Sequence, residues 1–417
     1  MDRRKLIGIL GRLFAIAFMA ATALSCLKST KPGIPEKVIH TINKTGFNRV
    51  VLTKTIGQYL QPDDSARLKA AYFLIANMQP HYSVDYKIVD TNMLRIPFDP
   101  NLAPQNIPIK VFWEKMEDSL GPLTFVAEKF TSDKDTITFK LLNETIACAF
   151  ESRHYPWNKN MDDSMFLEYV LPYRVGNEHL ENWRPMLRDL LVPMIPDSVK
   201  QDVNLIARFV NHYLNSRVSF DERFLKKAEI QSATELLSSG KGNFQDLSYL
   251  KVKALRSLGI AAALDYCPVV SDADIHTFYT ASYLDAQGNF IMLENDSSFS
   301  FENLQTSISK LYRRTFLDLE TGLFAEKASS FTTPPFLGHY HYLDVTGDYL
   351  PVDSVSFSGN CPDSLVYLTV FSDNKWKAVA YAKCNNKRAV FKQTAKGSQF
   401  GFAWMSQTTK ALIPVQH

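Results

Sequence analysis

The sequence predicts an α+β protein, and three patterns carry that expectation. Val203, Ile206, Phe209, Val210 and Tyr213 recur at helix spacing on one face. A second helical stretch, residues 244–258, stops at Gly259, and strand-like runs follow at 261–266, 276–284 and 290–294. The turn Asp285-Ala286-Gln287-Gly288-Asn289 joins the last two as a hairpin. The chain then ends in short runs rich in Val, Tyr and Phe at 353–357, 365–371, 376–382 and 389–391, punctuated by Gly, Asn and Asp. Helix followed by antiparallel strands implies an α+β core over 197–303. A helical and mixed region (26–196) precedes it. A linker (304–335) and a small β-sandwich-like domain (336–417) follow.

The first residues are an address. Arg3, Arg4, Lys5 and Arg12 against Asp2 account for the whole formal charge of +3 on 417 residues, leaving 42 basic and 42 acidic groups. A neutral body excludes a nucleic-acid partner. The apolar run from Leu13 to Leu24 is about a dozen residues, enough for a signal peptide (1–25) and too short to span a bilayer. It closes on Ala23-Leu24-Ser25-Cys26. That ending resembles a bacterial lipobox, which implies cleavage before Cys26 and attachment of palmitate-like acyl chains to its sulfur. The body would then hang from a membrane on the polar segment 27–37. An ordinary cleaved signal with an incidental cysteine is the alternative.

The other cysteines are Cys148, Cys267, Cys361 and Cys384. Cys361 and Cys384 share one strand-rich region and are the expected disulfide, with four separate thiols as the alternative. No Cys/His spacing suggests zinc or another metal, and no cofactor is expected.

The elements follow in order. Leu68, Ala71, Tyr72 and Ile75 sit at helix spacing within 64–78, with Asp63, Asp64 and Ser65 as candidate caps. Alternation at Thr136-Ile137-Thr138-Phe139-Lys140 predicts a strand. Residues 165–170 and 179–191 predict helices around Leu171-Pro172-Tyr173-Arg174, where Pro172 breaks the first. Residues 234–238 predict a short helix ended by Ser239-Gly240-Lys241-Gly242-Asn243. In the helix after it, Leu247, Leu250, Ala254 and Leu258 face inward. The aromatic groups Tyr340, Tyr342 and Trp376, and Tyr155, Trp157 and Trp183, are read as core before carbohydrate-stacking surface.

The stretch GKGNFQDLSYLKVKALRSLGIAAAL, Gly240 to Leu264, resembles the G-x-C-x-D-x-x-x-L…L-R-x-x-G-I helix of the transglutaminase-like superfamily. His276-Thr277-Phe278 resembles its His-x-Trp strand. Asn48-Arg49, the run from Lys69 to Met78 and Leu171-Pro172-Tyr173-Arg174 resemble the lipoprotein members of that superfamily in Gram-negative bacteria. The resemblance implies a papain/transglutaminase-like core and a Cys-His-Asp apparatus for acyl transfer or amide hydrolysis. Such chemistry needs a cysteine at a helix N-terminus, where the helix field favours thiolate. A histidine on the next strand moves the proton, and an acid beyond it orients the ring.

Counting back from Leu255-Arg256 places Phe244 at the thiol position. A benzyl ring has no nucleophilic atom. His276 occupies the histidine position, and Glu294 or Asp296 the acidic one. Asp246 is expected to serve the helix start. Replacement nucleophiles were weighed at Cys267, Ser238, Ser239 and Cys148. Cys267 is expected at the end of its strand far from the helix start, and none of the four suits the role. The reading is therefore a lipid-anchored, catalytically inactive pseudoenzyme of the cell envelope that binds a peptide, a glycan or an envelope protein, or scaffolds others. Leu27-Lys28-Ser29-Thr30 after Cys26 lacks the acidic cluster that some surface-exported lipoproteins carry, so the expectation is the outer membrane, facing the periplasm, with surface exposure as the alternative. The alternatives are an amide hydrolase or acyltransferase with a displaced nucleophile, and a purely structural envelope protein.

Overall fold

The computed structural model describes residues 33–158, 161–271, 277–294, 300–319, 337, 341–361, 365–406 and 411–415. The signal peptide, Cys26, His276, Asp296, Tyr340 and residues 320–335 of the expected linker lie outside them. Three helices come first: α1 (Glu36–Lys44), α2 (Arg49–Gln58) and α3 (Ser65–Asn77). Strands β1 (Tyr82–Val89) and β2 (Thr124–Ser132) pair, with α4 (Ile109–Leu120) between them in sequence. Helices α5 (Phe139–Ser152), α6 (Asp163–Tyr169), α7 (Trp183–Leu191), α8 (Val203–Arg217), α9 (Ala233–Ser239) and α10 (Phe244–Ser257) follow, with short strands β3 (Ser219–Phe220) and β4 (Lys241–Gly242) beside α9.

The central sheet is antiparallel throughout, in the order β7-β6-β5-β8-β9. Its members are β5 (Ala262–Cys267), β6 (Phe278–Leu284), β7 (Phe290–Leu293), β8 (Tyr312–Arg314) and β9 (Tyr342–Asp344). A buried ion pair fastens β8 to β5: Arg313 donates through Nε and Nη2 to the two Asp265 oxygens at 2.9 and 2.8 Å. Tyr349 and Ser282 hydroxyls also donate to Asp265, each at 2.6 Å. With four donors on one carboxylate, the desolvation of these charges is compensated.

Beyond it lie β10 (Val352–Ser358), β11 (Leu365–Ser372), β12 (Lys375–Lys383), β13 (Arg388–Ala395), β14 (Gly401–Met405) and β15 (Leu412–Pro414). They form a β10-β13 pair and a four-stranded sheet β12-β11-β14-β15, which share a cluster of Phe357, Val366, Leu368, Val370, Val379 and Phe391. A disulfide joins Cys361 to Cys384, Cα atoms 6.4 Å apart.

The architecture is thus mixed α and β, with helices, mainly antiparallel sheets and a parallel β3-β4 pair, and several expectations change. The core sheet does not stop at Asn303: β8 comes from the expected linker and β9 from the expected C-terminal domain. Tyr266, Tyr312 and Tyr342 of this sheet pack with Leu365, Tyr367 and Tyr381, so the C-terminal strands share its core. The expected region 26–196 also divides. Residues 33–81 and 132–142 form one compact unit, and 82–131 with 143–415 the other. The reason is that backbone hydrogen bonds tie the 82–109 stretch to the larger unit: Tyr82 O accepts from Arg174 at 3.1 Å, Tyr86 N donates to Glu229 at 3.3 Å, and Ile109 N donates to Glu222 at 3.0 Å.

The predicted strand at 136–140 is instead the end of a short helical turn, Asp133–Thr136, and the start of α5. Thr138 Oγ1 accepts from Leu141 N at 3.1 Å, a helix cap, and the buried Leu142, Ile146 and Ala149 supply helix spacing that five alternating residues cannot outweigh. The helix expected from His179 begins at Trp183. Pro185 fits a first turn but would clash in a helix interior, and Glu178 turns back onto the amides of Val175 and Gly176 at 2.8 and 2.7 Å.

Candidate functional site

Helix α10 starts where the sequence places it. Gly240 ends α9 with φ +67°, a left-handed cap, and Asn243 opens α10 in extended backbone. The cap is reciprocal. Asn243 Oδ1 accepts from Asp246 N at 2.9 Å, and Asp246 Oδ2 accepts from Asn243 N at 3.1 Å. Asp246 Oδ1 also accepts from Gln231 N at 2.9 Å, so its buried carboxylate is committed to backbone; burial raises its pKa. The expected role of Asp246 at the helix start agrees with these bonds.

Phe244 is the first residue of that helix and is 6% exposed. Its ring lies on Phe220, centroids 4.0 Å apart and planes 6° from parallel. Around the pair, Cys267, Phe278, Leu304, Ile308 and Leu311 complete an apolar cluster, with Met292 and Phe301 at its margin. The start of α10 is therefore filled with packed hydrocarbon.

Cys267 corrects an expectation. It sits in the same cluster as Phe244, not far from the helix start. A helix of 14 residues rises about 21 Å and the returning six-residue strand covers about 20 Å, so the end of β5 comes back level with the beginning of α10. Proximity does not make the thiol reactive. Cys267 is wholly buried, donates to Val269 O at 3.0 Å, and burial pushes its pKa up to about 12.

The remaining candidates are spread out. Glu294 directly follows β7 and is exposed. Its carbonyl accepts from Lys251 Nζ at 2.6 Å, and burial pulls that lysine's pKa down to about 7. Ser238 and Ser239 are exposed at the end of α9, and the Ser239 hydroxyl bonds to the backbone of Leu236 and Lys241. Cys148 is buried on α5 with its sulfur 3.4 Å from Arg188 Nη1; burial raises its pKa. Among the aromatic candidates, Tyr342 and Trp183 are core, and Trp376 is partly exposed against Phe371.

Far more polar chemistry gathers at the other end of α10, and the sequence reading missed it. Asp246 through Ser257 are all buried, so the helix is enclosed on every side rather than along one stripe. Arg184 of α7 donates to Arg256 O at 2.6 Å and to the carbonyls of Val170, Leu171 and Pro172 at 2.7, 3.1 and 3.1 Å. Arg256 donates to Ala262 O and Arg174 O, each at 2.9 Å. Trp157 Nε1 and Asn158 Nδ2 reach Leu258 O at 2.9 and 3.0 Å. These donors take up carbonyls that a helix C-terminus leaves unpaired. Beside them Lys253 faces Glu178 and Glu181 at 3.8 and 3.4 Å. The signal was available: four charged residues within Asp246–Arg256 cannot all be solvated on a helix whose apolar positions point several ways.

No family model matches this sequence, and no curated protein matches it either. Among solved structures, the chain is similar to a candidate cysteine protease from Cytophaga hutchinsonii, at 15% identity and a TM-score of 0.21 over 29% of this chain and 39% of that one. It is also similar to a candidate protease from Parabacteroides distasonis, at 11% identity and a TM-score of 0.23 over 56% of this chain and 41% of the other. The chain therefore spans about two fifths of the length of each. Likeness at that level bears on neither mechanism nor substrate.

Proposed function

We propose that this protein is a lipid-tethered, transglutaminase-like component of a Gram-negative cell envelope that binds or scaffolds and makes no covalent thioester. The observation that carries the reading is Phe244: a stacked, buried ring at the helix start where the superfamily's motif has its sulfur. Cys267, the thiol of the same cluster, stays protonated and enclosed. The motif resemblance, the capped helix and the antiparallel sheet after it support the papain/transglutaminase-like core. The neutral body supports a peptide, glycan or protein partner over nucleic acid. The filled cluster also favours a second reading, in which the protein is structural and the former cleft is core.

The test is a pair of measurements on the purified mature protein. Amidase and transamidase assays with peptide and glutamine donors are expected to show no turnover, and a thiol-reactive probe is expected to leave Cys267 unlabelled until denaturant is added. Turnover abolished by His276→Ala or Cys267→Ser overturns the proposal.

A further inference from the structure

Phe47 is fully exposed at the corner between α1 and α2, and its turn is not loose. Gly46 N donates to Asp135 Oδ1 at 3.3 Å, and Asn48 Nδ2 donates to Lys134 O at 3.0 Å and Ile137 O at 2.9 Å. Arg49 N and Val50 N bond back to Gly46 O and Phe47 O at 3.3 and 3.5 Å. This helical turn sets Phe47 and Val50 three residues apart on neighbouring positions, and Val50 is itself half exposed. A mobile loop can fold an aromatic ring away from water; a corner pinned at five points cannot.

The rim of this corner is basic. Lys44, Arg49 and Lys54 are exposed, whereas Glu36 is the only acidic residue from Gly33 to Gln58. Asp135, the acid beside the turn, is paired with Lys134 and occupied by Gly46 N. Single exposed apolar residues are commonplace and need no partner. Here three features coincide: a ring that cannot retract, a cationic rim, and a position in sequence 21 residues after the expected acylation site at Cys26. Even a contracted tether of that length keeps the corner within reach of the surface to which the acyl chains attach.

We propose that the α1–α2 corner is a membrane-contacting foot: Phe47, backed by Val50, enters the interfacial layer of a bilayer with anionic headgroups, while Lys44, Arg49 and Lys54 lie against the headgroup charge. The inference rests on the lipoprotein reading. It adds that the acyl chains do not hold the body on a free leash; the first compact unit rests on the surface in one orientation. Interfacial anchoring by an apolar group and attraction of Lys and Arg to anionic lipid reinforce each other, and the second is screened by salt.

The experiment uses the full acylated protein in vesicles of phosphatidylethanolamine and phosphatidylglycerol. An environment-sensitive fluorophore is placed through Phe47→Cys and, as a control, through the equally solvent-facing Leu102→Cys; Cys148 and Cys267 are buried and should not label. The expected result is a blue shift and quenching by acyl-brominated lipid at position 47 only, weakened by Arg49→Glu and by high salt. Acylated protein that floats with the vesicles while the probe at 47 stays in water overturns the foot and leaves the tether standing. A chain with no acyl group at Cys26 by mass overturns both. A blue shift in detergent accompanied by a dimeric mass assigns the corner to a second copy and also overturns it.

Discussion

The two ends of α10 make opposite use of their side chains. At the N-terminus, where the resemblance calls for the reactive group, the chain places a phenyl ring on another phenyl ring within a hydrocarbon cluster. At the C-terminus, where no chemistry is expected, it concentrates buried arginines, a tryptophan and an asparagine on bare carbonyls. Polar groups hold backbone in place at both ends: Asp246 and Asn243 cap the helix start, and the arginines hold carbonyls at the far end. Surviving buried charge is therefore a poor guide to activity here; the distinction is what each charge touches. Arg184 gives hydrogen bonds to four main-chain carbonyls, and its guanidinium lies over the Trp183 ring, 4.5 Å from the centroid.

The contrast can be tested by removing one group at each end. Arg184→Met removes a donor from four buried carbonyls and is expected to cost about 4 kcal/mol, read from urea unfolding. A loss below about 1 kcal/mol would mean those carbonyls find other donors. Phe244→Ala is expected to cost about 3 kcal/mol through the cavity it leaves, and Phe244→Leu much less. A stabilised or unchanged Phe244→Ala protein would show that the ring is a poorly packed relic, not core.

Between the two ends lies Lys251, and it gives the smallest effect. Its pKa in the folded chain is about 7 against an ordinary 10.5. Between those values the unfolded chain binds a proton that the folded one does not, so stability rises with pH over that window and this contribution is flat below it. Lys251→Met is expected to abolish that part of the slope while leaving the rest of the pH profile. An unchanged slope in the variant would place the ammonium in contact with water.

How much of this was legible beforehand differs between the same two ends. The N-terminal half of α10 is written locally: glycine, asparagine, aspartate at the third position and a returning Gly259 fix the helix, and the motif spacing fixes Phe244. The location of Cys267 followed from the lengths of one helix and one strand, yet a linear count from the motif placed it at the wrong end. That α10 is enclosed could be read from its charged residues, but the partners of its arginine-rich end could not, because Arg184 finds Arg256 across 72 residues and Val170 across 14, and no local pattern reports which carbonyls a guanidinium will meet. The same holds for the core sheet. Tyr312-Arg313-Arg314 and Tyr342-Leu343-Asp344 are three residues each, too short for period-two alternation to announce them.

That sheet also has a bearing on when the protein can fold. Its last edge, Tyr342–Asp344, is made 75 residues or more after the strand at its centre, Ala262–Cys267. A ribosome that has just released β8 has therefore produced an unfinished sheet, with Tyr312 and its neighbours still uncovered. Completion waits for most of the remaining polypeptide to emerge, and until then a chaperone has apolar strand to hold.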